Sequence, residues 1–440
     1  MRHLRRAALV AVVGSCVVVA PAAAAQEHAA PRTERVSVSA GGAQSAAETG
    51  DAQLSGDGRF VVLHSMATDL VPGTADPQRR IYVKELRTGK IELVSVASDG
   101  TQADGPSWSS SVSADGRYVV FDSEATNLAP GRNPGGYGDV FVRDRQTGRT
   151  EVLVENKGTQ PAHSSSPSIS ADGRYVAFAS NRSDLVPGDT NDTTDVFVRD
   201  RLKGTTERVS VTSDGAQGDG FSVSPVISAD GSTVGFKSLA QLAPEPPGER
   251  AGLRKPQART FYAHDLRTGR TQLAAQRLDG GPAAVLGSQA LSPDGRYALF
   301  SSASAEVVAG DTNGKADVFA KDLRTGVTRR LSLAADGSQA DGASGDAVLS
   351  ADDRRVFFAS DATNLVPGDT NGASDVFARD LRTGAVERVS LAHDGSQGNG
   401  RSTGPSTDLA GRALVFTSAA DNLVPGDTNA VHDAFVRHLK

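Results

Sequence analysis

The chain has 440 residues, a formal net charge of −6, 38% hydrophobic and 22% charged residues, 47 glycines and only 5% aromatics. This composition belongs to a globular chain with many turns and excludes a membrane-embedded or low-complexity one. No concentrated basic patch is visible, which excludes nucleic acid as a partner, because a polyanion is held by clustered Lys and Arg.

Arg2, Arg5 and Arg6 precede an apolar run from Ala7 to Ala20, then Pro21 and a string of alanines. That is the charged, apolar, small-residue order of a secretory signal peptide, with the cut expected after Ala23-Ala24-Ala25, before Gln26. The run is shorter than the roughly 20 residues of a spanning helix, so no membrane span is expected in the mature chain. Cleavage would leave one domain, 26–440, outside the cell or in its envelope. Three arginines and no acids would leave with the signal, taking the net charge from −6 to −9. Cys16 would leave too. Its context, Val13-Gly14-Ser15-Cys16, loosely resembles a lipoprotein box, but the apolar run continues through Ala20. The mature chain then holds no thiol for disulfides, metal–thiolate sites or nucleophilic catalysis.

Seven repeats follow. "SGDGRFVVLHS" at 55–65, "SADGRYVVFDS" at 113–123, "SADGRYVAFAS" at 170–180 and "SADGSTVGFKS" at 228–238 are succeeded by "SPDGRYALFSS" at 292–302, "SADDRRVFFAS" at 350–360 and "DLAGRALVFTS" at 408–418. Measured from Asp57, the spacings are 58, 57, 58, 64, 58 and 58 residues, the mark of one supersecondary unit stacked many times. In the third unit, Ser166–Ser170 reads as a strand, Asp172-Gly173 as a turn and "RYVAFAS" as a second strand. "DVFVRD" (195–200) is a third and, past Lys203-Gly204, "TERVSV" (206–211) a fourth. Four strands per repeat predict an all-β, seven-bladed propeller. The segment "TERVSVSAGGAQ" (33–44) matches a fourth strand, whereas "DAFVRHLK" (433–440) matches a third, so the N-terminal strand is expected to complete the last blade. Such a ring has no free sheet edge, and a monomer is expected.

The segment S-x-D-G-R-Y-V-A-F-x-S, followed by D-V-F-V-R-D-x-x-T-G-x-T-x-R-V-S, resembles the WD40-like (PD40-type) repeat of TolB-type β-propellers over essentially the whole mature chain. The resemblance implies a propeller that binds other proteins. It departs from TolB in that only a few residues separate the signal from the first strand, leaving no room for TolB's small N-terminal α/β domain.

Four loops share Asp-x-Asn-x-x-x-Asp: Asp189/Asn191/Asp195, Asp311/Asn313/Asp317, Asp369/Asn371/Asp375 and Asp427/Asn429/Asp433. Two readings stand. Oxygen ligands two residues apart, with a carboxylate entering from the next strand, suit Ca²⁺ as the one cofactor to be expected, although the spacing is not that of an EF-hand. Equally, Asp and Asn bond their own backbone in Asx-turns, and the last Asp can pair with an arginine. A second loop, D-G-x-Q, recurs at Asp99–Gln102, Asp214–Gln217, Asp336–Gln339 and Asp394–Gln397, where a Gln amide that both donates and accepts predicts a structural joint.

Catalytic signals are weak. "GRSTG" (400–404) matches G-x-S-x-G, but that elbow needs a strand before it and a helix after it. The histidines are scattered, with only His432, beside Asp433, placed to join a metal shell. Blade 4 replaces its loop with the Pro-rich insertion "PEPPGERAGLRKPQART" (244–260), a candidate partner contact or a tolerated surface loop. The sequence therefore predicts an exported, non-catalytic binding module for a protein or a cell-wall or envelope polymer. The alternative is a secreted lyase or glycoside hydrolase, whose acidic and aromatic residues would converge in one pocket at the channel mouth.

Overall fold

The structure, a computed structural model, describes residues 32–74, 76–130, 138–155, 163–244 and 258–439. The expected signal sequence and most of the 244–260 insertion lie outside them. The described residues form 28 strands in seven four-stranded antiparallel sheets, each a blade of a propeller, and contain no helix.

Blade 3 shows the pattern. Its inner strand is Ser164–Ile169, followed by Tyr175–Ser180, Asp195–Asp200 and the outer strand Thr205–Arg208. Each blade is sandwiched between two others, so its second and third strands are buried on both faces and read as continuous apolar runs, such as Val176–Ala179 and Val196–Val198. A Phe from each of these strands stacks across the sheet, Phe178 on Phe197 at 5.8 Å, and five other blades repeat the pair with Phe or Tyr. The outer strand ends at Arg208, short of the expected Val211, because Ser210 turns inward to bond a carboxylate described below.

The closure expected from the chain ends is present. Arg32–Arg35 pairs antiparallel with Asp433–His438 and forms the outer strand of blade 7. Val36 is fully buried in a core shared by blades 1 and 7.

The Asp-Gly turns join neighbouring blades. Around one end of the ring the turn residues exchange backbone hydrogen bonds from blade to blade: Asp57 N–H to Ala114, Ala114 to Ala171, Ala171 to Ala229, Asp230 to Pro293, Ala351 to Leu409 and Leu409 to Gly56, at 2.8–3.0 Å. The missing link, between blades 5 and 6, falls at Pro293, which has no N–H to donate. Gly173 sits in this collar with φ +72°, where a Cβ would lie 2.4 Å from the Tyr118 ring of blade 2. Gly173→Ala is therefore expected to cost about 2–4 kcal/mol, backbone strain and overpacking combined. Gly395→Ala, with φ +86° and nothing within 4 Å of its Cβ, should cost about 1–2 kcal/mol. Urea unfolding of the two variants would separate the terms, and equal costs would refute the packing argument.

Candidate functional site

The four Asp-x-Asn-x-x-x-Asp loops sit at the other end of the ring, where the second strand of a blade passes to the third. In blade 6 the second carboxylate, on Asp375, is fully buried, and its Oδ1 accepts from Ser390 at 2.6 Å. Its Oδ2 accepts from Asn371 at 3.0 Å, and Asn371 also donates to the Gly398 carbonyl at 2.9 Å. Arg388, at the end of the outer strand, places Nη2 3.0 Å from Asp369 and Nε 3.2 Å from Asp375, so its guanidinium lies between the two carboxylates. Gln397, from the D-G-x-Q loop, donates to Asp369 at 3.0 Å and accepts from Thr370 through its carbonyl.

The same arrangement recurs with Arg208 and Gln217 on Asp189 and Asp195, with Asn191 donating to Asp195. In blade 5, Arg330 bridges Asp311 and Asp317 while Asn313 donates to Asp317 and Gln339 binds Arg330. In blade 7 the arginine and glutamine come from the N-terminal segment: Arg35 bridges Asp427 and Asp433, Gln44 donates to both and Asn429 donates to Asp433. The two motifs that looked separate in sequence are thus one device. It needs a third partner, the Arg of the T-E-R-V-S or equivalent outer strand, whose recurrence beside every loop was the available signal. Burial raises the carboxyls of Asp189, Asp311, Asp375 and Asp433 above the ordinary range despite these partners. His432 turns instead to Glu48, with Nδ1 at 3.5 Å. Among the described residues no group of three or more His, Cys, Asp or Glu side chains is placed to hold a metal ion.

A second site lies on the axis. The seven inner strands line a channel cavity of about 650 Å³, and each carries an irregularity near its start. The bulge residues Asp51, Ser166, Ser224 and Asp346, together with Gly287 and Gly404, adopt positive φ of 22–63°, and all six line the cavity. Bulges of this kind re-aim side chains. Here they form a polar ring at the same end as the Asp–Asn–Asp loops.

Beside the ring is a position of the second strand where the repeats disagree strongly. The invariant Ser that ends this strand is preceded by His64, Asp122, Ala179, Lys237, Ser301, Ala359 and Thr417 in blades 1 to 7. Asp122 lies against Ser109 and the Ser166 backbone, and burial raises its carboxyl to about 7. Its Oδ1 is buried and makes no hydrogen bond. Lys237 donates to the Gly287 carbonyl. His64 lies over Gly50, where any Cβ would meet Nε2 at 2.3 Å, and burial lowers its pKa. Its Nε2 is 3.3 Å from Arg79, whose guanidinium stacks 4.6 Å over the ring of Trp108. Trp108 is the single tryptophan and stays 38% exposed. Ser402 of "GRSTG" opens an inner strand, bonded to Ser418 at 2.9 Å with no helix after it, so the nucleophile-elbow context is missing.

No family model matches the sequence, and no curated protein does. Among solved structures, an oligogalacturonate lyase in complex with manganese is similar with a TM-score of 0.54 and 12% identity, over 93% of each chain. The β-propeller domain of the Trilobed protease from Pyrococcus furiosus, reported to have an open velcro topology, matches with a TM-score of 0.53 and 12% identity, over 89% of this chain and 93% of that one. TolB from Acinetobacter baumannii matches with a TM-score of 0.37 and 14% identity, over 91% of this chain and 81% of that one. Identities this low speak to fold and not to activity. The chain is a seven-bladed β-propeller, the fold that its resemblance to TolB-type repeats implies.

Proposed function

We propose that the chain is an exported, non-catalytic binding module, and that its ligand, a protein or a cell-envelope polymer, docks at the mouth of the axial channel. The observation that carries this reading is the variable position before the repeat's Ser. Seven blades share their apolar core and turn pattern, four of them share the clasp, and they diverge where His64, Asp122 and Lys237 meet the ring of bulges. An exposed Trp108 stacked on Arg79 supplies an anchor of the kind that dominates binding energy at interfaces. The charged start of the chain and the apolar run after it support export.

The carboxylates near the mouth, Asp51, Asp122 and Asp346, sit on three different blades with serines and glycines between them. That spread favours binding over the paired acids of a glycosidase. Asp122, able to hold or release a proton near neutrality, is the feature that favours an enzyme as the second reading. Binding of the mature protein to isolated envelope polymers and proteins, compared with Trp108→Ala, tests the first. A loss of tenfold or more in affinity is expected, and an unchanged affinity for the same ligand would move the docking face elsewhere. Release of unsaturated or reducing sugar ends that depends on Asp122 would establish the second.

The Asp–Asn–Asp loops are, in the same reading, clasps in which arginine serves as the cation, in place of Ca²⁺. They hold the face on which the ligand docks.

Asp122 also makes a pH prediction. A carboxyl whose folded pKa lies above its unfolded one costs stability once ionised. Stability should therefore fall as pH rises from about 4 to about 7 and level off above that, by up to roughly 4 kcal/mol for a shift from 3.8 to about 7. Asp122→Asn should remove that part of the slope, seen as converging urea midpoints at low pH. Parallel pH profiles of variant and wild type would show that the carboxyl is not perturbed.

A further inference from the structure

Blade 4 departs from its siblings at a second place, on the collar end of the ring. Gly-Arg-Phe or Gly-Arg-Tyr opens the second strand in blades 1, 2, 3 and 5, but blade 4 has Gly231-Ser232-Thr233. Blades 6 and 7 carry Arg355 and Ala413 there, but in the four blades that keep it the aromatic closes the seam to the next blade. Arg145 of blade 2 stacks 4.4 Å over Phe60, Arg201 of blade 3 stacks 4.3 Å over Tyr118, and Tyr175 and Leu266 pack against one core cluster. Thr233 occupies the same place, since a Cβ on the Gly295 turn of blade 5 would meet it at 2.5 Å, just as one on Gly116 would meet Phe60.

Its smaller side chain leaves the seam between blades 4 and 5 open. A cavity of about 490 Å³ has Thr233, Ala263 and Leu323 on its apolar side and arginines 267, 270, 296 and 324 around it. Past Arg270 and Arg324 it continues into a second hollow of about 390 Å³ that reaches Lys321. Two carboxylates, Asp265 and Asp294, also line the first cavity, so cations remain in excess. Arg296 is committed, 2.7 Å from Asp322 and stacked over Tyr297. Arg267 faces Asp265 at 3.9 Å. The side chains of Arg270 and Arg324 form no ion pair within the described residues, and both border the two hollows. Such a cleft, apolar at its base with unneutralised guanidinium groups at its rim, suits a ligand with one anionic end.

We propose that this seam binds a small organic anion, a phosphate or carboxylate on an apolar body. Its oxygens take Arg270 and Arg324, and its apolar part lies against Ala263, Thr233 and Leu323. The site is independent of the channel mouth, and neither reading needs the other.

Phenyl phosphate is the probe, with inorganic phosphate as the charge-only control, titrated calorimetrically into the mature protein. Saturable binding at least tenfold tighter for phenyl phosphate is expected. Arg270→Ala/Arg324→Ala, both exposed, should weaken it at least tenfold. Thr233→Tyr installs the residue of blades 2, 3 and 5, and should abolish binding while raising Tm, because the ring fills the seam against Leu323 as Tyr175 does beside Leu266. Binding that survives in both variants, or that is no tighter than inorganic phosphate, overturns the proposal. If Thr233→Tyr misfolds, the double arginine variant decides alone. A dependence on the arginines without preference for the phenyl group would likewise refute the apolar half of the site.

Discussion

Arg388→Met is expected to lower the unfolding free energy by about 3–5 kcal/mol, because it leaves the carboxylates of Asp369 and Asp375 facing each other without their shared cation. Their side chains are only 3% and 0% exposed, and that of Arg388 7%, so water cannot take over the guanidinium's role. The pH dependence supplies an internal check. Burial already raises the Asp375 carboxyl, and loss of the arginine should raise it further. A folded pKa above the unfolded one costs stability as pH rises past about 4, so the deficit of the variant should shrink as pH is lowered from 7 toward 5. Arg388→Met/Asp369→Asn/Asp375→Asn should recover much of the loss, since it removes the buried charges together. Urea unfolding of the three proteins at both pH values measures this, and a loss below about 1 kcal/mol for Arg388→Met would remove the clasp as a stabilising device.

The same clasp predicts how the protein responds to metal. Four independent Ca²⁺ sites, each at tenfold over Kd, would add roughly 6 kcal/mol together. For some 400 residues that is a rise of about 7 °C in Tm. With arginine already between the carboxylates, no calcium-specific, saturable rise is expected after exhaustive EDTA treatment, in Ca²⁺ or in Mg²⁺. A rise confined to Ca²⁺ would restore the calcium reading for these loops.

Removal of residues 26–37 should have the largest effect of all. It takes the outer strand from blade 7, Val36 from the core it shares with blade 1, and both Arg35 and the Ser37 hydroxyl from Asp433. An apolar side chain fully buried contributes about 1.5–3 kcal/mol and a buried charge left unpaired costs about 3–5. With the lost ladder the total is roughly 8 kcal/mol, a fall of about 10 °C in Tm. The uncovered edge of Asp433–His438 should also recruit a second chain, so size-exclusion chromatography would show dimers or larger species. A synthetic peptide of residues 32–45, added in trans, should restore both the melt and the monomer. An unchanged Tm would mean that the ring holds without its clasp.

The spacing of the repeats, the Asp-Gly turns and the apolar runs of the second and third strands determined the propeller, its seven blades and the strand that closes it. These features are local or periodic, and a chain that repeats one unit every 57 to 64 residues has to stack it. The Asp–Asn–Asp loops were legible as a recurring set of oxygen ligands, but their partners were not. Arg388 and Gln397 lie 19 and 28 residues from Asp369 along the chain, and in blade 7 Arg35 and Gln44 come from the opposite end of it. Only the tertiary structure decided that the guanidinium sits between the carboxylates, because a side chain's neighbours depend on sheet register and ring closure and not on residue type. The same holds for the channel mouth and the seam. His64, Asp122 and Lys237 are single letters within near-identical strands, and Thr233 is one small residue in place of an aromatic. Their meaning comes from the bulge or blade packed against each of them, and packing brings those together from residues scattered along the chain.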